Sequence, residues 1–312
     1  MRRAGLHLIA VAALTAAALL ALFGAGERPA GLTDWQAFTL GVVQGVTELL
    51  PISSSGHLIL VPWLADWHFL EQHEADNKTF DVALHLGTLV AVVLYFRGDL
   101  SVVVRAWLRS VANRRVGNAD ERLAWFLVAA TLPAAVVGAV FGTFIENELG
   151  EPWQIAVLLA VFAVVLWAAD RRSEERGLAD LSLVAAVTVG LAQVLALAPG
   201  VSRSGITISA GRFLGLDRDA AARLSFLLLV PIVFGAVVWK GFQDVVFGDL
   251  PPGSTGPFVI GTVAAAGSGL LSISALLAYV RRHDYTPFAV YRLLVAAAVL
   301  LVIASGAREA MF

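Results

Sequence analysis

Apolar residues run along this chain in stretches too long for the interior of a soluble domain. Crossing a hydrocarbon core takes roughly 17 to 25 residues, and runs that meet this lie near 6–25, 80–97, 123–142, 153–170, 221–240, 257–280 and 287–305. Each predicts a transmembrane helix. Two further hydrophobic segments, 36–61 and 183–210, are interrupted by Pro, Gly and clustered Ser, a pattern that predicts helix, break, helix. Neither half is long enough to span. Each segment therefore reads as a re-entrant hairpin, whose irregular backbone is tolerated where it lines a polar cavity.

The polar connections orient these elements. Arginines collect in 98–122, 171–181, 211–223 and 281–286, whereas 62–79, 143–152 and 241–256 are mainly acidic. Basic connections face the cytoplasm. Threading the chain accordingly makes the first hairpin enter from outside and the second from the cytoplasm, with three spans after each. The expected fold is an all-α polytopic membrane protein built as an inverted-topology repeat, with one extra hydrophobic helix at its N-terminus.

Composition agrees with this reading. The chain is 58% hydrophobic and 15% charged, with mean hydropathy +0.79, against about one half and one quarter in soluble domains. A net charge of −2 without a long basic run argues against nucleic acid as a partner. The absence of cysteine excludes disulfides, thiolate metal sites and thiol nucleophiles. Residues 1–30 begin Met1-Arg2-Arg3, continue as an Ala/Leu run to Phe23 and lack a clean A-x-A site, so an uncleaved span is favoured over a signal peptide. Residues 31–312 form one membrane-embedded domain, with repeat one at about 33–170 and repeat two at about 182–305.

The candidate chemistry sits in the two breaks. QGVTELLPISSSGH, from Gln44 to His57, returns as QVLALAPGVSRSG, from Gln193 to Gly205, at a constant offset of 149 that also pairs Gly41 with Gly190. Where the copies differ, the first carries Glu48, Ser54 and His57 and the second Arg203, so an acid/base set faces a cation. An ionisable group such as Glu48 at membrane depth costs about 2.5 to 3.5 kcal/mol on insertion scales and is read as functional by default. Ser53, Ser54 and Ser55, between Pro51 and Gly56-His57, have the composition of a turn feeding a helix N-terminus, which presents free N–H groups to an anion. Serines in membrane helices also serve close packing, but three beside a histidine exceed that need. His57, three residues after Ser54, can act as its base.

Arg203 offers a guanidinium fork to two phosphate oxygens, flanked by Ser202, Ser204 and Gly205, and Thr207 adds a hydroxyl. Gln44 and Gln193 can cap backbone freed by the breaks. Asp81 and His85 read as groups that cap or hydrate the start of a span, and Arg292 beside Tyr291 as an interfacial anchor. These features suggest a phosphate-handling site at the pseudo-two-fold axis.

The two phrases closely resemble the signature regions of the undecaprenyl-diphosphatase family, also known as bacitracin-resistance proteins. The likeness extends through their separation, the span order and a PFAVYR segment at 287–292, over roughly residues 33–305. It implies a bacterial inner-membrane enzyme that hydrolyses the lipid undecaprenyl diphosphate to undecaprenyl phosphate and inorganic phosphate, recycling the carrier for peptidoglycan. It further implies a divalent cation, Mg2+ or Ca2+, access from the outer face, and assembly as a homodimer. The family's acidic motif falls on Gln44 and Glu48, its serine-histidine motif on Ser53, Ser54, Ser55, Gly56 and His57, and its arginine motif on Ser202, Arg203, Ser204 and Gly205. Many members carry a second Glu where this chain has Gln44, an amide that binds metal only weakly through its carbonyl.

The expected mechanism has Arg203, the serines and the helix starts hold the diphosphate. Ser54 with His57 as base, or His57 itself, attacks the terminal phosphorus, while Glu48 binds the cation or orients His57. The rival class is a transporter or flippase for a phosphorylated lipid, which shares broken helices in inverted repeats but gives Ser54 and His57 no role.

Overall fold

The computed structural model describes residues 31–67, 74–172, 176–241 and 255–311. Among them the regular elements are eleven α-helices and two 3-10 turns. The helices are α1 (Asp34–Leu49), α2 (Ser54–Ala65), α3 (Glu74–Tyr95), α4 (Arg97–Asn113), α5 (Ala119–Glu148), α6 (Pro152–Asp170), α7 (Leu183–Val194), α8 (Arg203–Phe213), α9 (Arg218–Gly241), α10 (Thr255–Val280) and α11 (Thr286–Ala304). Six of them, α3, α5, α6, α9, α10 and α11, are long and apolar enough to cross a membrane. These match six of the seven expected spans. The seventh, at 6–25, lies outside the described residues, as does most of the acidic connection 241–256.

One expectation is corrected. The basic stretch 98–122, expected as a connection, is mostly the helix α4. Counting arginines conceals that Leu100, Val103, Trp107 and Val111 recur at helical spacing on one side of that stretch.

Both predicted breaks are present, and proline sets each of them. Leu50, before Pro51, is extended at φ −74 and ψ 146, and Ala198, before Pro199, is extended at φ −78 and ψ 125, because a proline ring disfavours helical geometry in the preceding residue. Each chain then restarts as a helix, α2 or α8, beginning with a serine N-cap. The end of α2 is tied to the chain beyond α11, since Arg308 pairs with Asp66 and Trp63 Nε1 donates to the Glu309 carbonyl at 3.2 Å. The end of α8 is tied instead to the end of α6, where Arg212 Nη2 donates to the Asp170 carbonyl at 3.3 Å.

The two halves exchange partners rather than packing as separate units. Helix α1 packs on α10 and α7 packs on α5, while α3 meets α9 and α6 meets α11 across the middle. Glycine permits the two exchanged contacts. A Cβ on Gly41 would lie 2.3 Å from the Gly261 carbonyl oxygen, and one on Gly190 would lie 2.4 Å from that of Ala130. These are the two glycines that the repeat aligns. Gly190→Ala is expected to lower stability by about 1–3 kcal/mol through overpacking against backbone, read as a fall in the thermal midpoint in detergent.

At one end of the bundle Asp170 anchors three elements. It accepts from Arg218 Nε at 2.7 Å and from the Tyr285 amide at 2.7 Å, and Arg212 Nε lies 3.3 Å away. Burial raises the phenol pKa of Tyr285, whose hydroxyl donates to the Arg218 carbonyl at 3.1 Å.

Candidate functional site

The site is assembled where the breaks meet. Ser53 and Ser202 adopt φ of 78° and 76°, a left-handed conformation uncommon for any residue but glycine. Such strain persists where the surroundings impose it. Here the cause is visible: each hydroxyl turns back to accept from the amide of a following glycine, Gly56 at 3.4 Å and Gly205 at 3.0 Å. The breaks are also joined to each other. The Gly200 amide donates to Ser53 Oγ at 3.1 Å, Ser204 Oγ donates to the Leu50 carbonyl at 2.9 Å, and Ser202 and Ser204 hydroxyls lie 3.2 Å apart.

Arg292 closes this junction, which corrects its reading as an interfacial anchor. It is 0% exposed and sits within α11. Its Nη2 donates to the carbonyls of Gly200 at 2.8 Å and Val201 at 3.0 Å, Nη1 to Pro51 at 3.3 Å and Nε to Leu159 at 3.2 Å. Broken helices free carbonyls that apolar surroundings cannot satisfy. A guanidinium is one side chain with enough donors to satisfy several at once.

Glu48 is the polar centre. It is 6% exposed, and its Oε1 receives Arg203 Nη2 at 3.0 Å from the start of α8, beyond the second break. Its Oε2 accepts the Ser54 hydroxyl in a short contact and Gln44 Nε2 at 3.4 Å. The other arm of Arg203 donates to the Ser225 carbonyl at 2.8 Å, which fixes the guanidinium plane. His85 Nε2 stands 3.7 Å from Glu48 Oε2, and its Nδ1 donates to the Asp81 carbonyl at 2.7 Å. His85 is thus held by a carbonyl near the start of its span, but it also belongs to the site. A sequence does not reveal that α3 runs beside α1.

The structure does not bring His57 onto Ser54. The ring lies at Nδ1 2.7 Å from the Ser53 carbonyl and at Nε2 2.8 Å from the Tyr291 hydroxyl. A carbonyl only accepts, so Nδ1 carries the proton and neutral Nε2 accepts from Tyr291. The neighbour holding the Ser54 proton is Glu48.

A cavity of about 620 Å³ opens over this centre. Glu48, Ser54, Ser55, Gln193, Ser202 and Arg203 form its floor, Asp81 and His85 one wall, and Lys78, Glu148 and Glu151 its mouth. Leu58, Ile59, Pro62, Trp63, Ile232, Val233 and Val237 make an apolar side. Not every expected phosphate ligand reaches it. Ser53, Ser204, Gly205 and Thr207 are buried behind the floor, and Thr207 Oγ1 donates to the Arg203 carbonyl at 2.7 Å. These residues shape the two helix starts.

Among the described residues no three acidic or histidine side chains gather as a metal cage. The oxygens available are the Glu48 carboxylate, the Ser54 hydroxyl and Gln44 Oε1, which is buried without a hydrogen-bond partner. That set fits a hard cation such as Mg2+ or Ca2+, which takes oxygen ligands and keeps waters or substrate oxygens in its shell.

Fold and site together define a polytopic helical membrane protein with a buried charged cluster beneath a half-apolar cavity. The chain belongs to the family described as bacitracin resistance protein BacA, whose model matches residues 37–298. It is similar to the undecaprenyl-diphosphatase of Gemmatimonas aurantiaca, 45% identical over 88% of this chain and 99% of that protein. It is also similar to those of Desulforudis audaxviator, 44% identical over 87% of this chain and 98% of that protein, and Geobacter sulfurreducens, 44% identical over 85% and 96% respectively.

Proposed function

We propose that this chain is an integral membrane lipid phosphatase that hydrolyses undecaprenyl diphosphate to undecaprenyl phosphate and inorganic phosphate, in the bacterial inner membrane. One observation carries the chemistry: a serine hydroxyl, Ser54, bonded to a buried carboxylate that Arg203 holds in place, at the floor of a cavity with an apolar side. The apolar side suits a polyprenyl tail and the floor its phosphates.

Arg203 and the N-termini of α2 and α8 hold the diphosphate. Glu48 takes the Ser54 proton as Ser54 Oγ bonds to the terminal phosphorus and the bridging P–O bond breaks, releasing undecaprenyl phosphate. Water then cleaves the phosphoserine, the Glu48 proton returns to Ser54, and inorganic phosphate leaves. Catalysis of this transfer rests chiefly on positioning and charge. His57, pinned between the Ser53 carbonyl and Tyr291, keeps the start of α2 aimed at the cavity. Glu48, Gln44 and Ser54 would hold a divalent cation, which supplies charge neutralisation at the phosphates when bound.

In the same reading the two halves are an inverted repeat with re-entrant hairpins, assembled as a homodimer by likeness to the family. The exchanged packing and the matching serine caps support the repeat. Attachment of α2 and α8 to opposite ends of the bundle supports hairpins of opposite entry. The cavity mouth lies at the end bearing Glu148 and Glu151, away from the arginines of 171–172, 212, 218 and 281, so it opens on the extracytoplasmic face.

The test is inorganic phosphate release from a polyprenyl diphosphate by purified protein in detergent. Ser54→Ala is expected to lose a thousandfold or more, as a nucleophile does, on the order of 10³ to 10⁶, and EDTA to stop the reaction until Mg2+ or Ca2+ is restored. Absence of release from folded wild type would sink this reading.

A further inference from the structure

Helix α4 is the element that the chemistry above leaves unused. It follows the span ending at Tyr95 and precedes the one beginning at Ala119. Its 17 residues make about 26 Å at 1.5 Å per residue, but Arg105 and Arg109 at its middle prevent it from crossing a hydrocarbon core as a lipid-facing helix. It is therefore held at the membrane surface by its two neighbours. At about 100° per residue it presents three faces. Ala106 and Ser110 are buried on the protein side, where Trp125 Nε1 donates to Ser110 Oγ at 2.9 Å. Val104, Leu108 and Val111 form a second, uncovered face, 52%, 54% and 46% exposed. Ser101, Arg105 and Arg109 form the third.

Among the described residues, the charge on that third face meets no acidic side chain. Several other arginines at this end are paired: Arg218 with Asp170, and Arg223 and Arg281 with Asp219. Among the described residues, Arg105, Arg109, Arg114 and Arg115 meet no carboxylate. Arg105 turns only to the Ser101 carbonyl and hydroxyl, at 2.9 and 3.1 Å, and nearby Glu121 is taken by the Gly117 amide at 2.6 Å. Trp107, in the middle of α4, and Trp125, on α5, pack with ring centroids 6.2 Å apart, and tryptophan is a residue type favoured at the membrane interface.

We infer that α4 is a docking surface for an anionic phospholipid leaflet. The stripe of Val104, Leu108 and Val111 enters the acyl boundary, and the arginines bind headgroup phosphates. The geometry suits both halves of that statement: an in-plane helix against the bundle has its apolar face turned to the bilayer and its basic face to the headgroups. The arginines thus hold this end on a negatively charged leaflet, at the opposite end from the cavity mouth. This inference stands independently of the chemistry of the cavity.

The chain has no cysteine, so single-cysteine nitroxide labels can be placed on the full-length protein in vesicles of phosphatidylcholine mixed with phosphatidylglycerol. A label at Leu108→Cys should be more accessible to oxygen than to a water-soluble nickel chelate, and one at Ala112→Cys, on the polar side, the reverse. Spin-labelled lipids should associate with wild type in preference for phosphatidylglycerol over phosphatidylcholine. That preference should fall by about threefold or more in Arg105→Gln/Arg109→Gln, with phosphate release in neutral detergent unchanged. Equal nickel access at both labels would overturn the proposal by placing the helix in water. A Leu108 label shielded from both reagents would overturn it in favour of a second copy covering the stripe. An unchanged lipid preference in the double variant would overturn the role of the arginines.

Discussion

Phosphate release by Arg203→Ala is expected to fall about a thousandfold or more, the range seen when a preorganised positive group is removed from phosphoryl transfer. Arg203 serves two groups at once, the cavity floor where a phosphate would bind and the Glu48 carboxylate at 3.0 Å. Removing it also strands a buried charge, which costs about 3–5 kcal/mol when one partner of a buried pair is lost. Loss of activity alone would therefore confuse a catalytic defect with a folding defect. The double variant Arg203→Ala/Glu48→Gln removes the stranded charge. It should recover much of the thermal stability in detergent, which assigns that loss to the stranded charge. Because the second change also removes the base, release is compared in Arg203→Ala below its own thermal midpoint, where near-normal activity of the folded protein would show that Arg203 serves only to keep Glu48 buried.

The second large effect is expected at Arg292, a residue that does not line the cavity. Arg292→Met keeps the volume but withdraws donors from the carbonyls of Pro51, Leu159, Gly200 and Val201. Each buried carbonyl left without a partner costs about 1–3 kcal/mol. Some will find other donors, so the expected loss is at least about 3 kcal/mol, measured by thermal unfolding followed by circular dichroism. Arg292→Lys should fall between, because a single ammonium cannot reach both breaks. A methionine variant as stable as wild type would mean that the breaks hold themselves in place.

The residues most readily found in the sequence were those whose signals are local. Proline, glycine and serine inside otherwise apolar stretches mark both breaks, and the duplication sets the phrase that carries Glu48 against the phrase that carries Arg203. Gly41 and Gly190 were visible as equivalent, though not as the points where backbones touch. What escaped detection depends on helix neighbours. Arg292 reads as an anchor because its position along α11 says nothing of the carbonyls that the two breaks leave open beside it. His85 joined the site only because α3 runs against α1. The basic face of α4 hid its helical period, since a charge count ignores which side of a helix each residue occupies. His57 stands three residues from Ser54, yet its ring turns to Tyr291, and spacing alone cannot report that rotation.

The exchange of helices between the halves also governs how the protein is made. Helix α1 emerges from the ribosome early, but the surface that accepts Gly41 and Gly45 is on α10, and the contact from Ser268 to the Gly41 carbonyl spans 227 positions. At about 5–20 residues per second, α1 waits on the order of ten to forty seconds for its partner to be synthesised. The N-terminal half therefore cannot mature as a unit during translation. The junction of the two breaks, which Arg292 of α11 closes, forms only once the last helices have entered the bilayer, so a nascent chain stalled before α10 is expected to be inserted without it.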